Sequence, residues 1–139
     1  MTIFPILAGA VDVKNTITAQ AVANTTPVTG TAVNVAAYEG TLLAVLNAGA
    51  ASTSDTLDCV IEESSDNSTW AAIPSDALFN PVTGANATFA QVTDAAASFQ
   101  ALGIKKERVK QYLRAKVTAA GTTISIPVAV CFVCPKRDF

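Results

Sequence analysis

Three groups of side chains in this 139-residue chain have types and spacings that could do chemistry. Cys131-Phe132-Val133-Cys134 is a C-x-x-C, the half-site spacing of zinc ribbons and dithiol redox motifs. A structural zinc wants four ligands, and only Cys59 remains to join this pair in a sequence with no histidine. On an extended strand a separation of three also points the two sulfurs to opposite faces. The spacing therefore predicts free thiols at core or near-surface positions, and neither a metal nor a cofactor is expected. Glu62-Glu63 with Asp66 gathers three carboxylates, as a calcium loop or an acid/base pair would. The spacing is not that of an EF-hand and no glycine makes its sharp turn, so the group reads as a solvated strand end and turn. Lys105-Lys106-Glu107-Arg108 carries charge suited to phosphates, but four such residues at a strand entry read as a solvated turn.

The missing histidine removes the commonest general base, so Ser-His-Asp and Cys-His arrangements cannot be built. Neither a glycine-rich phosphate loop nor a G-x-S-x-G elbow is present. The chain is expected not to be an enzyme, and no catalytic residue is assigned. Trp70, the single tryptophan, is the residue to nominate as a sugar-stacking platform. Such platforms show several aromatics, and here the others are two tyrosines and six scattered phenylalanines. Trp70 is read instead as a core anchor, whose truncation to alanine should cost about 3 to 5 kcal/mol.

The elements that must position these groups are short and β-type. Leu57, Cys59 and Ile61 alternate with Asp58, Glu62 and Ser64, the two-residue period of a half-buried strand. Ser65-Asp66-Asn67 then turns the chain into a return strand led by Trp70, which makes a hairpin. Comparable runs cover residues 16–22, 31–37, 41–47, 56–64, 69–73, 87–92, 98–104, 109–118 and 122–133, separated by turn residues. Residues 93–103 also read as a helix by local propensity, but the all-β context favours a strand over 98–104. In the last run Ile124, Ile126, Val128, Val130 and Phe132 form one strongly apolar face, and the opposite face is weakly apolar. Pro127 removes a ladder donor and predicts an edge or a bulge there. The expected fold is an antiparallel β-sandwich or jelly roll of about eight strands, as one domain over residues 16–139. Residues 1–15 read as an extended N-terminal arm whose Ile3, Phe4, Ile6 and Leu7 are candidate partner-binding residues.

Charge narrows the partners. Charged residues are only 14% of the chain, against roughly 25% in an average soluble domain, so part of the surface is expected to meet another protein. The net charge of −2 does not suit a nucleic-acid binder. Residues 1–104 carry a net −8 and residues 105–139 a net +6. Strand pairing is the natural use of that asymmetry, with Asp58 and Glu62 facing Lys110, Arg114 or Lys116. No run approaches the ~18 apolar residues of a membrane span, and the opening residues lack the basic start of a secretion signal. Synthesis and folding in a cytoplasm are expected.

The stretch from Leu57 to Pro74, the basic strand from Arg108 to Thr118 with Tyr112-Leu113-Arg114-Ala115, and Gly121-Thr122-Thr123 leading into the apolar strand together resemble the small β-sandwich head decoration (cement) proteins of tailed bacteriophages. The resemblance covers residues ~56 to 134. It implies a structural virion protein, located on the capsid exterior after synthesis in the bacterial host. Its partners would be the major capsid protein and other copies of itself, as a homotrimer or another homo-oligomer, with no direct nucleic acid and no membrane. Residues 2–10 are expected to contribute to capsid or neighbour binding. The competing expectation is a carbohydrate- or receptor-binding β-sandwich module of a virion fibre or adhesin, which exposed Trp70, Tyr112 or Phe89 grouped on one face would favour.

Overall fold

The computed structural model describes residues 10–136, and the candidate partner-binding residues Ile3, Phe4, Ile6 and Leu7 lie outside them. Ten strands follow in order: β1 (Val11–Val22), β2 (Val28–Thr29), β3 (Val33–Asn34), β4 (Thr41–Ala48), β5 (Thr56–Ser64), β6 (Ala71–Ala72), β7 (Leu78–Phe79), β8 (Ser98–Lys105), β9 (Tyr112–Ala120) and β10 (Ile126–Pro135). All pairings are antiparallel, and they form two sheets. Sheet one runs β1-β10-β4-β8-β7; sheet two runs β2-β9-β5-β6, with β3 also on β9. The fold is a β-sandwich.

Alternation builds the core. Leu42, Ala44, Leu46 and Ala48 of β4 and Ile126, Val128, Val130, Phe132 and Cys134 of β10 face inward from sheet one. They meet Leu57, Cys59 and Ile61 of β5 and Leu113, Ala115, Val117 and Ala119 of β9. Alanines interleaved with leucines and Phe132 let the two layers interdigitate at close spacing.

Residues 98–105 form strand and not helix because tertiary pairing outweighs propensity. β8 pairs with β4 without a break from Ser98↔Ala48 to Lys105↔Thr41, burying Leu102 and Ile104. Gly103 has no side chain because the Phe79 ring lies where its β-carbon would be, so β7 packs an aromatic directly onto the β8 backbone.

The sheets are stitched at one edge by Thr16. Two register shifts lie between Asn15 and Gln20 of β1, and Thr16 there is 3% exposed. Its hydroxyl accepts from the Ala115 N–H of sheet two at 2.9 Å and donates to the Thr31 carbonyl at 2.9 Å. The chain passes so close that only glycine fits at position 30, where a β-carbon would collide with Thr16 Oγ1.

Several boundaries differ from the expected runs. β1 begins at Val11, so residues 11–15 of the expected arm are strand paired with β10. Residues 87–92 form no strand, because only Val92 reaches the ladder, as a single bridge to Leu57. Pro127 lies inside sheet one opposite Ala21, one residue before pairing with β4 begins at Val128↔Ala48, so its missing N–H interrupts no ladder bond to β4. Of the two register shifts in the β1–β10 ladder, the one between Ile17 and Gln20 ends at Gln20↔Val128, directly beside Ala21↔Pro127, so the irregularity expected near this proline is present one residue away.

Candidate interaction surfaces

The outer face of sheet two carries the best-shielded ion pair among the described residues. Register sets Glu62 opposite Arg114, and both Arg114 Nε and Nη2 reach Glu62 Oε1 at 2.9 Å. The pair is partly shielded from solvent, with side chains 22% and 12% exposed. Its shield is Trp70, whose ring lies 4.2 Å from the Arg114 guanidinium carbon. Trp70 is therefore not the core anchor expected from sequence: it is half-buried on the surface, one residue before β6. The reason is the shortness of the return strand, which pairs only Ala71 and Ala72 with Glu63 and Glu62 and leaves the tryptophan outside the ladder, stacked on the cation.

The three clustered carboxylates separate in space. Glu63 turns inward, 8% exposed, where Oε2 accepts the Lys110 N–H at 2.9 Å. Ser64, expected on the outer face, is fully buried, and its hydroxyl donates to Asp66 Oδ1 at 2.8 Å. Asp66 also accepts the Ser68 and Thr69 N–H groups. The Thr69 bond, then the Ser64 hydroxyl and the Ser68 bond, hold its carboxyl down at about 2. Asp66 thus ties its own turn, with Asn67 in the left-handed region at φ 58°. Asp58 accepts from Gln91 Nε2 at 3.1 Å and makes no ion pair with the basic strand; Thr118 is its direct opposite.

The outer face of sheet one differs throughout. Three rows cross it: Val13, Val133, Leu43 and Gly103; Asn15, Cys131, Val45 and Ala101; and Ala129, Asn47 and Phe99. No charged side chain stands in these rows. Val13 at 61% and Phe99 at 71% exposure stand out at opposite ends of the patch. The patch covers roughly 400 Å², taking about 4.8 Å between strands and about 6.8 Å between same-face residues. The charge that borders it, Lys105 at the next same-face position of β8, sits 5.7 Å from the Phe79 ring. Beyond it a broad depression of about 700 Å³ opens between Tyr38, Thr41, Phe79, Lys105, Lys106 and Glu107. The run 105–108 ends β8 and forms a 3-10 turn, with Arg108 on Asp76 at 3.2 Å, both well exposed. This surface was missed in sequence because same-face neighbours come from four distant strands. The signal available was the weakly apolar second face of β10, continued by Leu43 and Val45.

The corner where β1 meets β10 is tied by Asp12, which accepts from the Tyr38 hydroxyl at 2.8 Å and pairs with Lys136 at 3.3 Å. The Tyr38 hydroxyl bond lowers the Asp12 carboxyl, whereas burial, aided by the Asp12 charge, pushes the Tyr38 phenol up to about 12.

All three cysteines are free thiols. Cys134 faces the core and Cys131 the outer face of sheet one, as a spacing of three on a strand requires. Burial raises all three thiols, Cys59 to about 12 and Cys134 to about 11, which keeps them protonated and unreactive near neutrality. Among the described residues no three His, Cys, Asp or Glu side chains come together as a metal site, and no helix is long and apolar enough to cross a membrane. Of the aromatics, Trp70 and Tyr112 flank Arg114 on sheet two, while Phe89 packs against the core, so the three do not share a face. No family model, curated protein or solved structure matches the chain.

Proposed function

We propose that this chain is a structural virion protein that binds the outer surface of an assembled phage capsid and stabilises it, with the outer face of sheet one turned toward the capsid. The observation that carries this reading is the segregation of charge: three rows of sheet one without a charged side chain, against the Glu62–Arg114 pair, Asp58 and Lys116 on sheet two. Apolar surface loses little on leaving water, whereas charged surface must be re-paired or stay wet. A patch of roughly 400 Å² lies in the range of patches that mark interaction sites, yet is about half of one partner's share in a standard stable interface. A contact of that size holds one copy weakly. Many copies on one particle, joined to each other and to major capsid subunits, turn weak contacts into a stable shell. Ile3, Phe4, Ile6 and Leu7 belong to the same proposal as an uncharged extension that adds to the contact area.

Co-sedimentation of the purified chain with undecorated capsids, with its solution mass from light scattering, tests the reading. Saturable binding at a fixed ratio to capsid subunits supports it, and a chain that stays in the supernatant removes it. Deletion of residues 2–10 should lower occupancy while the sandwich stays folded. A carbohydrate-binding module of a virion fibre is the second reading, motivated by half-exposed Trp70 and Tyr112 on one sheet. The Arg114 guanidinium already occupies one face of the Trp70 ring, which leaves a smaller stacking surface than a sugar platform uses. Binding to a glycan array that Trp70→Ala abolishes would favour it.

A further inference from the structure

At the edge of the sandwich beside β5 lies a cavity of about 220 Å³, lined among others by Cys59, Ile61, Ile73, Leu78, Thr88 and Phe89, and by no charged side chain. The β5 backbone along it is incompletely paired. Leu57 exchanges both backbone hydrogen bonds with Val92, at 3.0 and 2.9 Å, and the Ile61 carbonyl accepts from the Ile73 N–H at 3.1 Å. Alternate residues of a strand turn their N–H and C=O to the same side. Cys59, midway between those two, therefore turns its N–H and C=O away from β9 and toward the cavity side. Among the described residues neither group has a hydrogen-bond partner there. An apolar cavity beside one open donor and acceptor on a strand edge has the two components of strand-addition recognition: main-chain bonds for affinity and a side-chain pocket for selectivity.

We infer that this gap binds one uncharged, apolar residue of an extended peptide segment from another protein chain, pairing its amide with Cys59 and burying its side chain in the cavity. The occupant is uncharged because nothing in the lining could pair a charge. It is a peptide because the open Cys59 groups are one donor and one acceptor at main-chain spacing, which a hydrocarbon cannot satisfy. The inference does not depend on which face of the sandwich meets a capsid.

The test is an NMR titration of the 15N-labelled full chain with acetyl-Ala-Leu-Ala-amide. The Cys59 and Phe89 signals should move and Cys59 amide exchange should slow, while Val13 and Trp70 signals stay. An ester in place of the leucine amide removes its N–H and should weaken binding about tenfold, the loss of one hydrogen bond. Ala72→Trp, at an exposed position on the cavity rim, should block the shifts without altering the rest of the spectrum. If that variant does not fold, a peptide with aspartate for leucine provides the same control and should not bind. A Cys59 amide unmoved at millimolar peptide overturns the inference. So does equal binding of the ester, which reduces the site to an apolar hollow that does not read a backbone.

Discussion

The two outer faces of this sandwich share one pleat and diverge in what their side chains do. On sheet two, neighbours across the ladder are matched as ions: Glu62 opposite Arg114, with Trp70 laid over the guanidinium. On sheet one, neighbours are matched as apolar surface: Val133 beside Leu43 and Cys131 beside Val45. On sheet two the Glu62–Arg114 pair is completed within the chain, and Asp58 is held by Gln91. Sheet one leaves its rows uncharged, with Val13 and Phe99 standing exposed at the two ends, and the proposed function places its partner there. The difference teaches where to look for a partner.

The largest effect should come from breaking the uncharged face. Val45→Lys places a charge in its middle row, and capsid affinity should fall about thirtyfold or more, as for a hot-spot residue of about 2 kcal/mol. Thermal unfolding should change little, because Val45 is only half-buried. Next in size is the ion pair of sheet two. Arg114→Ala leaves Glu62 without its cation and uncovers Trp70, which should cost about 1 to 3 kcal/mol in denaturant unfolding. A double-mutant cycle sharpens this: Glu62 with Arg114 should couple by about 1 kcal/mol, and Asp58 with Arg114 by nearly nothing, because Asp58 bonds Gln91.

Trp70→Ala should cost about 1 to 2 kcal/mol, below the range for a fully buried tryptophan, because one face of the ring stacks on a cation and the side chain stays half-exposed. A loss of core size would return Trp70 to the interior. The smallest effect concerns the turn before it. Asp66 in the folded chain titrates at about 2, below its ordinary 3.8, so its contribution is present above the ordinary value and is lost as pH falls through about 2. The Thr69 amide resonance should therefore follow a single titration near that value, and in Asp66→Asn it should not.

Local pattern makes much of sheet two legible in the sequence. The alternation Leu57, Cys59, Ile61 defines the inner face of β5, and the basic residues of β9 at matching parity give the Glu62–Arg114 pairing. Trp70 was not legible, because nothing local says that the return strand stops at two residues. Glu63 keeps the inward parity of Leu57, Cys59 and Ile61, where its carboxylate accepts the Lys110 N–H, and Ser64 alone breaks it, because its hydroxyl is bonded to the Asp66 turn. Sheet one was legible only strand by strand. Its rows join residues from β1, β10, β4 and β8, and the order of those strands follows from long-range closure that no short window contains. The expected pairing of Asp58 with the basic strand failed on geometry alone, since Thr118 stands opposite it.

The contrast between the faces can be tested with one matched pair of substitutions. Phe99 on sheet one and Val60 on sheet two are exposed apolar residues, at 71% and 44% exposure, and neither is in the core. Phe99→Asp and Val60→Asp should both fold, so co-sedimentation with undecorated capsids reads the faces directly. The account requires Phe99→Asp to lose most of its capsid occupancy while Val60→Asp keeps that of the unsubstituted chain. Full occupancy for Phe99→Asp, or loss confined to Val60→Asp, would contradict it.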